Sequence, residues 1–438
     1  MKIAWFSPLP PSRSGIAAYT AELVPVLRAR DYTIDTFAEA DARSFVWKQR
    51  RIPYDLTVFQ MGNAAVHDYM WAYLFRYPGL VVLHDAQLHQ ARALWLTRRW
   101  QPRRADYLAE FRANHPEAPS DAGELIAAGL GGSLYHHWPL IRLVVEGSRL
   151  TLVHNRSLME QLQEHYPAAR FAQVEMGVRD PSSTPVARAA SPIVRPGGDH
   201  SIVLAAFGGV TPEKRIPQLL RAVAAIADRH PSLHLLLVGD TVDHYDAVAD
   251  AKRWGIADRV HITGYVADLE LGAYLSAVDI CACLRWPTNR ETSASWLRCL
   301  GAGRATVVTD LAHQGDVPTL DPRDWRKRDT APTEERAPVA VSIELVDEDH
   351  SLQLALDRLA RDQALRAALG KAARTWWEQH HQLHTMADGY ERALKLAVES
   401  AVPNPALPRH LVADGSDRSR DLAASLGVSG RLSSILRG

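Results

Sequence analysis

A lysine close behind a glycine pair is the first candidate for chemistry in this chain. Lys214 closes the run Phe207-Gly208-Gly209-Val210-Thr211-Pro212-Glu213-Lys214, which reads as a strand end, a Gly-Gly loop and a helix start. Thr211 suits an N-cap and Pro212 a first helical position, so the spacing predicts Lys214 in the first helical turn. A cation there opposes the helix dipole by a few tenths to about 1 kcal/mol. An anion at the same helix start offsets that, because free N–H groups and an ammonium together hold phosphate. A solvated surface lysine is the competing reading. A second polar helix start follows at Glu291-Thr292-Ser293.

Histidines at strand ends offer a different chemistry. His84-Asp85 follows the apolar run at 80–83. An imidazole there faces whatever lies beyond the strand, where it can hydrogen-bond a sugar hydroxyl or tune a leaving group. A capped, satisfied histidine is the alternative. His154 stands in the same relation to the run at 149–153, just upstream of Ser157 and Glu160, which read as a capping box. In the loop from Ser7 to Ile16, Gly15 permits close backbone approach at a helix start, although a structural turn fits equally. No Gly-x-Gly-x-x-Gly follows the first strand, so this is not a dinucleotide fingerprint.

The elements that must position these residues alternate strand with helix. Apolar runs near 2–7, 32–37, 54–60, 80–84 and 149–153 form one set, and those near 202–207, 233–238, 260–263, 278–284 and 305–309 a second. The stretch from Pro181 to His200 lacks periodicity and is read as the linker between two α/β halves. Such alternation implies parallel sheets with right-handed crossovers, and two facing sheets of this kind make a cleft beyond their carboxyl ends. The segment 318–340, charged and proline-containing, reads as an exposed loop; helical periodicity returns at 349–398, and a loosely attached tail follows from about 401. The aromatics Trp376, Trp377 and Tyr390 have core-like spacing.

Composition narrows the function classes. The 438 residues carry no formal net charge, with 47% apolar and 23% charged residues, which argues against general nucleic-acid binding. Three cysteines give no disulfide framework, and Cys281 and Cys283 read as small core residues rather than metal ligands. The first six residues read as a strand rather than a signal peptide, and no apolar run nears the roughly 18 residues of a membrane span, so the expected site is the cytoplasm.

The ordered set of motifs resembles retaining glycosyltransferases of the GT-B fold, in the large bacterial family four. Its carriers run from residue 1 to about 395: Trp5-Phe6-Ser7-Pro8 with Ser14-Gly15-Ile16, Gln60-Met61-Gly62-Asn63, Leu83-His84-Asp85, Gly208 to Arg215, Ile262 to Val266, and Glu291 to Arg298 with Ala302-Gly303-Arg304. The resemblance implies an α/β, GT-B architecture, with two Rossmann-like domains whose parallel sheets face a central cleft. Its divisions would be an acceptor-side domain at 1–185, a linker at 186–200, a nucleotide-sugar domain at 201–375, a returning helix at 376–400 and a tail at 401–438.

The same resemblance implies transfer of a sugar, with retention and without a metal, from a nucleotide-diphosphate sugar to a glycan, lipid or small-molecule acceptor. The nucleotide sugar would be a co-substrate; no resident cofactor is implied. His84, Lys214 and Glu291 would serve catalysis. Gly208, Gly209, Arg215, Tyr265, Val266, Arg290, Thr292, Ser293 and Arg298 would hold the donor, and Gly15, Asp85 and His154 would face the acceptor. The chain departs from the family pattern where a pair of glutamates eight residues apart is common: those positions are Arg290 and Arg298, with Glu291 one place along. Arg215, Arg285 or Arg290 would replace an arginine whose usual position is Gly209.

Residues 92–104 hold five arginines and two tryptophans. They suit either an anionic membrane surface, touched from the cytoplasmic side, or a helix face whose tryptophans pack inward, and the second reading is favoured. Other functions on this architecture are a nucleotide-sugar epimerase, a glycan phosphorylase, or a catalytically silent module that binds a glycan or nucleotide sugar.

Overall fold

In the computed structural model, which describes residues 1–98, 103–182, 196–268, 270–328, 336–413 and 416–428, two parallel sheets face each other. The first has six strands in the order β2-β1-β3-β4-β5-β6. These are β1 (Lys2–Phe6), β2 (Thr33–Phe37), β3 (Leu56–Met61), β4 (Leu80–Leu83), β5 (Leu150–Val153) and β6 (Phe171–Gln173). The second comprises β7 (Ile202–Phe207), β8 (Leu233–Val238), β9 (Val260–Ile262), β10 (Ile280–Cys283), β11 (Ala305–Thr309), β12 (Thr319–Leu320), β13 (Lys327–Arg328) and β14 (Ala340–Ile343). Their order is β13-β12-β14-β11-β10-β7-β8-β9. All registered pairs are parallel except β12 with β13.

The central strands are continuous apolar runs because helices cover both faces; all six residues of β3 are buried. The chain enters each sheet at an interior strand and then changes side. The change falls between β1 and β3 in one sheet and between β7 and β10 in the other. Crevices open at such switch points, beyond the strand carboxyl ends. Loops after β1, β3, β4 and β5 line one wall of the cleft and loops after β7, β8, β9 and β10 the other.

Three expectations need correction. The segment read as an exposed loop at 318–340 carries β12 and β13, and several of its described charges pair within the fold. Arg323 donates to Asp321 at 2.7 Å and to Glu344 at 2.8 Å, and Arg328 joins the same carboxylates. The tail from 401 is tied down in part: His410 Nε2 lies 2.7 Å from the fully buried Glu110 carboxylate. Residues 429–438 lie outside the described residues, as does most of the expected linker, 186–195. Finally, Asn155 rather than Ser157 caps the helix Arg156–His165, accepting from Leu158 N at 2.8 Å, while Glu160 pairs with Arg156.

The two domains share one core. The helix Gln363–His380 packs Trp377 beside Leu297 and Leu300, and the helix Leu383–Glu399 crosses to the first domain. There Tyr390, fully buried, meets Tyr19 Oη at 2.5 Å and Trp5 at 5.8 Å between ring centroids. Burying each such large side chain is worth about 1.5–3 kcal/mol, so this return fixes one domain to the other.

Within 92–104, Arg92 is buried in a bidentate pair with Glu110, at 2.8 and 2.5 Å, and stacks over Trp71. Arg103 pairs with Asp106 at 2.5 Å, and Arg104 pairs with Glu124. Residues 99–102 lie outside the described residues. Among the described residues, no helix is long and apolar enough to cross a membrane.

Candidate active site

The second-domain wall of the cleft is built around Lys214. Its Nζ donates to Phe207 O at 2.6 Å, across the end of β7. Gly208 has φ of 94°, which favours glycine, and a Cβ there would stand 2.0 Å from that Nζ and displace it. Burial, and next the nearby Arg285 guanidinium, lower the Lys214 pKa to about 8. The local backbone differs from expectation. Thr211 caps as predicted, but only a single 3₁₀ turn, Pro212–Lys214, follows. Arg215 is left-handed, with φ of 58°, and the α-helix starts at Ile216. Pro217 explains the break, because its ring cannot follow a helical carbonyl four residues back. Arg215 consequently turns away from the cleft and grips Glu348 with two hydrogen bonds, one of 2.7 Å.

Arg285, after β10, supplies the second cation. Its Nη1 lies 2.6 Å from Glu291 Oε1. Glu291 Oε2 accepts from Asn289 N at 2.8 Å and Thr288 Oγ1 at 3.1 Å, so this carboxylate braces its own loop. Thr292 and Ser293 line the cleft at the start of the helix Ala294–Gly301, which Ser293 Oγ caps by accepting from Trp296 N at 3.3 Å. Arg290 is left-handed, with φ of 59°, and faces a different cavity. Arg298 reaches the cleft but is held 3.0 Å from Glu22 of the first domain. Tyr265 and Val266 form the outer end. There Arg13, from the opposite domain, lies 4.2 Å from the Tyr265 ring centroid and 3.1 Å from Asp240 Oδ2.

The first-domain wall presents uncharged imidazoles and a carboxyl where the other presents Lys214 and Arg285. His84 Nε2 donates to Gln60 Oε1 at 2.7 Å, which leaves Nδ1 as an acceptor. His154 Nδ1 donates to Val174 O at 2.8 Å, and its buried Nε2 has no partner among the described residues. Burial holds His84 well below the ordinary imidazole value and lowers His154 and His67 to about 4. All three are uncharged at pH 7. Asp85 accepts from Asn63 N at 2.7 Å. Burial chiefly, helped by the Glu291 charge and opposed by Arg285, raises its pKa to about 6. Gly15 begins the helix Gly15–Arg28 behind the cap Ser14; a Cβ at Gly15 would meet nothing within 4 Å.

One cavity of about 620 Å³ thus joins His84, Asp85, His154 and Gly15 to Gly208, Gly209, Lys214, Tyr265, Val266, Glu291, Thr292, Ser293 and Arg298. Arg215 and Arg290 stand outside it. Sequence reasoning missed the Arg13–Asp240 bridge and the Gln60–His84 bond. Asp240 follows the carboxyl end of β8, so the switch-point rule was a signal for it; Arg13 carried none. Among the described residues, no group of three His, Cys, Asp or Glu side chains is placed to hold a metal ion.

A family model described as "Glycosyl transferases group 1" matches residues 201–321. No curated protein matches the chain. Among solved structures, the chain is similar to sucrose-phosphate synthase from Thermosynechococcus elongatus: 13% identity over 90% of this chain and 98% of that one, TM-score 0.60. It is similar to WaaG, a glycosyltransferase involved in lipopolysaccharide biosynthesis, at 14% identity over 90% and 99%, TM-score 0.56. It also resembles Anabaena HepE in complex with UDP-glucose, at 16% identity over 90% and 99%, TM-score 0.54. The fold is GT-B, two Rossmann-like domains around a cleft.

Proposed function

We propose that this chain is a glycosyltransferase that moves a sugar from a nucleotide-diphosphate donor to a glycan, lipid or small-molecule acceptor, with retention at the anomeric carbon and without a metal. The observation that carries the reading is the partly buried Lys214 ammonium, its pKa lowered by desolvation, at the switch point of the second sheet, beside Arg285 and the Thr292–Ser293 backbone. As the anomeric C–O bond breaks, the departing diphosphate gains about one negative charge. Donors already fixed in a water-poor cleft answer that charge without reorganising, each worth roughly 2.7–4 kcal/mol. The family match to residues 201–321 and the UDP-glucose bound by the Anabaena protein support the same assignment.

The diphosphate would lie against Lys214, Arg285 and the amides of Thr292 and Ser293, with the base toward Tyr265 and Val266. The neutral imidazoles of His84 and His154 suit sugar hydroxyls, since each offers a lone pair without competing charge. Asp85, poised near pH 6, is placed to accept a proton on the acceptor side. Glu291 acts by holding Arg285 and its loop. The test is release of free nucleoside diphosphate from UDP-, GDP-, dTDP- and ADP-sugars, with a glycan-containing extract as acceptor source and EDTA in a parallel set. Acceptor-dependent release that survives EDTA supports the proposal; no release from any donor overturns it, and loss with EDTA overturns the metal-free part.

A further inference from the structure

A second cavity, of about 340 Å³, lies back to back with the cleft. The partition between them is the loop 286–291 docked on the first domain. Ala86 N donates to Asn289 O at 2.8 Å, and Asn155 Nδ2 donates to Arg290 O at 3.2 Å. Adjacent residues therefore face opposite sides: Asp85 and Glu291 line the cleft, whereas Ala86 and Arg290 line the second cavity. Asn63, in the cleft wall, donates to Gln87 at 2.6 Å, and Gln87 donates to Tyr135 O at 2.6 Å, so the partition is hydrogen-bonded throughout.

The chemistry of this cavity is one-sided. Arg142, Arg290 and four histidines, at 115, 136, 137 and 165, line it; the single lining carboxylate among the described residues is Glu117. Glu117 is 3.5 Å from His115, and Arg142 is engaged with Asn114 O at 2.9 Å and with Glu146 at 3.6 Å. Arg290 has no carboxylate partner among the described residues. The loop nonetheless holds it in the left-handed region, which a residue with a Cβ enters only when its surroundings impose it. Half-buried Trp138 and Tyr166 add flat apolar faces. Aromatic walls with a few convergent polar groups fit a small ring, and an unanswered guanidinium fits an oxyanion bidentately.

We propose that the second cavity is a separate site, divided from the cleft by the loop 286–291, that binds an anionic sugar, one bearing a carboxylate or a phosphate. The anion would lie against Arg290 and the ring against Trp138 and Tyr166. Ring and anion recognition then sit on the acceptor-side domain and on the loop whose other face holds Glu291.

Saturation-transfer NMR on the full chain, with UDP present or absent, tests this using glucose, glucuronate and glucose 6-phosphate. Glucuronate or glucose 6-phosphate should bind saturably and glucose should not, and which of the two binds tells carboxylate from phosphate. Arg290→Gln should weaken that binding at least about tenfold. His165→Gln, an exposed position on another element, should weaken it less, and both variants should bind UDP like wild type. Equal binding of glucose, no binding of either acidic sugar, or binding indifferent to both variants overturns the proposal. Acidic-sugar binding that follows Arg290 while no nucleotide binds the cleft would keep this site and sink the transferase reading.

Discussion

The two walls of the cleft solve different problems. The second-domain wall concentrates charge: Lys214 and Arg285, with Glu291 holding the latter in place. The first-domain wall presents imidazoles that burial keeps neutral, and one carboxyl poised near pH 6. Desolvation acts on both, with opposite use. On the charged wall it strengthens every interaction with an incoming anion, whereas on the neutral wall it strips charge from histidines and leaves hydroxyl-binding lone pairs. An anion belongs on one side and sugar hydroxyls on the other.

The largest break in that contrast comes from Lys214→Ala. Transfer should fall about 10²–10³-fold, with nucleotide affinity falling too, while the melting profile stays cooperative. Steady-state kinetics and titration calorimetry measure the two effects. His84→Ala should lower turnover about 10²-fold and leave nucleotide affinity unchanged; a matching loss of affinity would merge the two walls. Gly208→Ala puts a Cβ 2.0 Å from the ammonium and strains a φ of 94°, so it should weaken nucleotide binding roughly tenfold or more by moving the lysine alone.

The walls should also separate by pH. A bound anion raises the pKa of Lys214 above its free value of about 8, so nucleotide affinity is full below pH 8 and falls as pH rises through it. Turnover should show an acid limb near pH 6, because Asp85 is ionised only above that value, and Asp85→Asn should remove it. The histidines, which burial keeps neutral at pH 7, should add no inflection near 6.5. The smallest expected effect is at 92–104. With Arg92, Arg103 and Arg104 paired internally, flotation with anionic liposomes at low salt should show no binding, and salt-sensitive binding would restore the membrane reading.

What the sequence disclosed follows from how local the signal is. The apolar strands β1, β3, β7, β8 and β11 were legible because a doubly covered strand reads as an unbroken hydrophobic run. β6 and β12 to β14 were not; β12 and β13, two residues each, lie among charges that pair within the fold. Lys214 was found, but its setting was misread, since Pro217 ends the turn that Thr211 begins. The ion pairs of Arg215 and Arg298 were not legible for another reason. Their partners, Glu348 and Glu22, are 133 and 276 residues distant, and no window of sequence joins them. The same distance hid Arg13 against Asp240, 227 residues apart.

The central claim is that Lys214 is the anchor for a diphosphate. Calorimetric titration of wild type and Lys214→Ala with UDP, GDP, dTDP, ADP and their parent nucleosides at pH 7 tests it directly. At least one diphosphate should bind wild type more tightly than its nucleoside, and the variant should lose most of that difference. Equal affinity of the two proteins for every nucleotide that binds would contradict the claim.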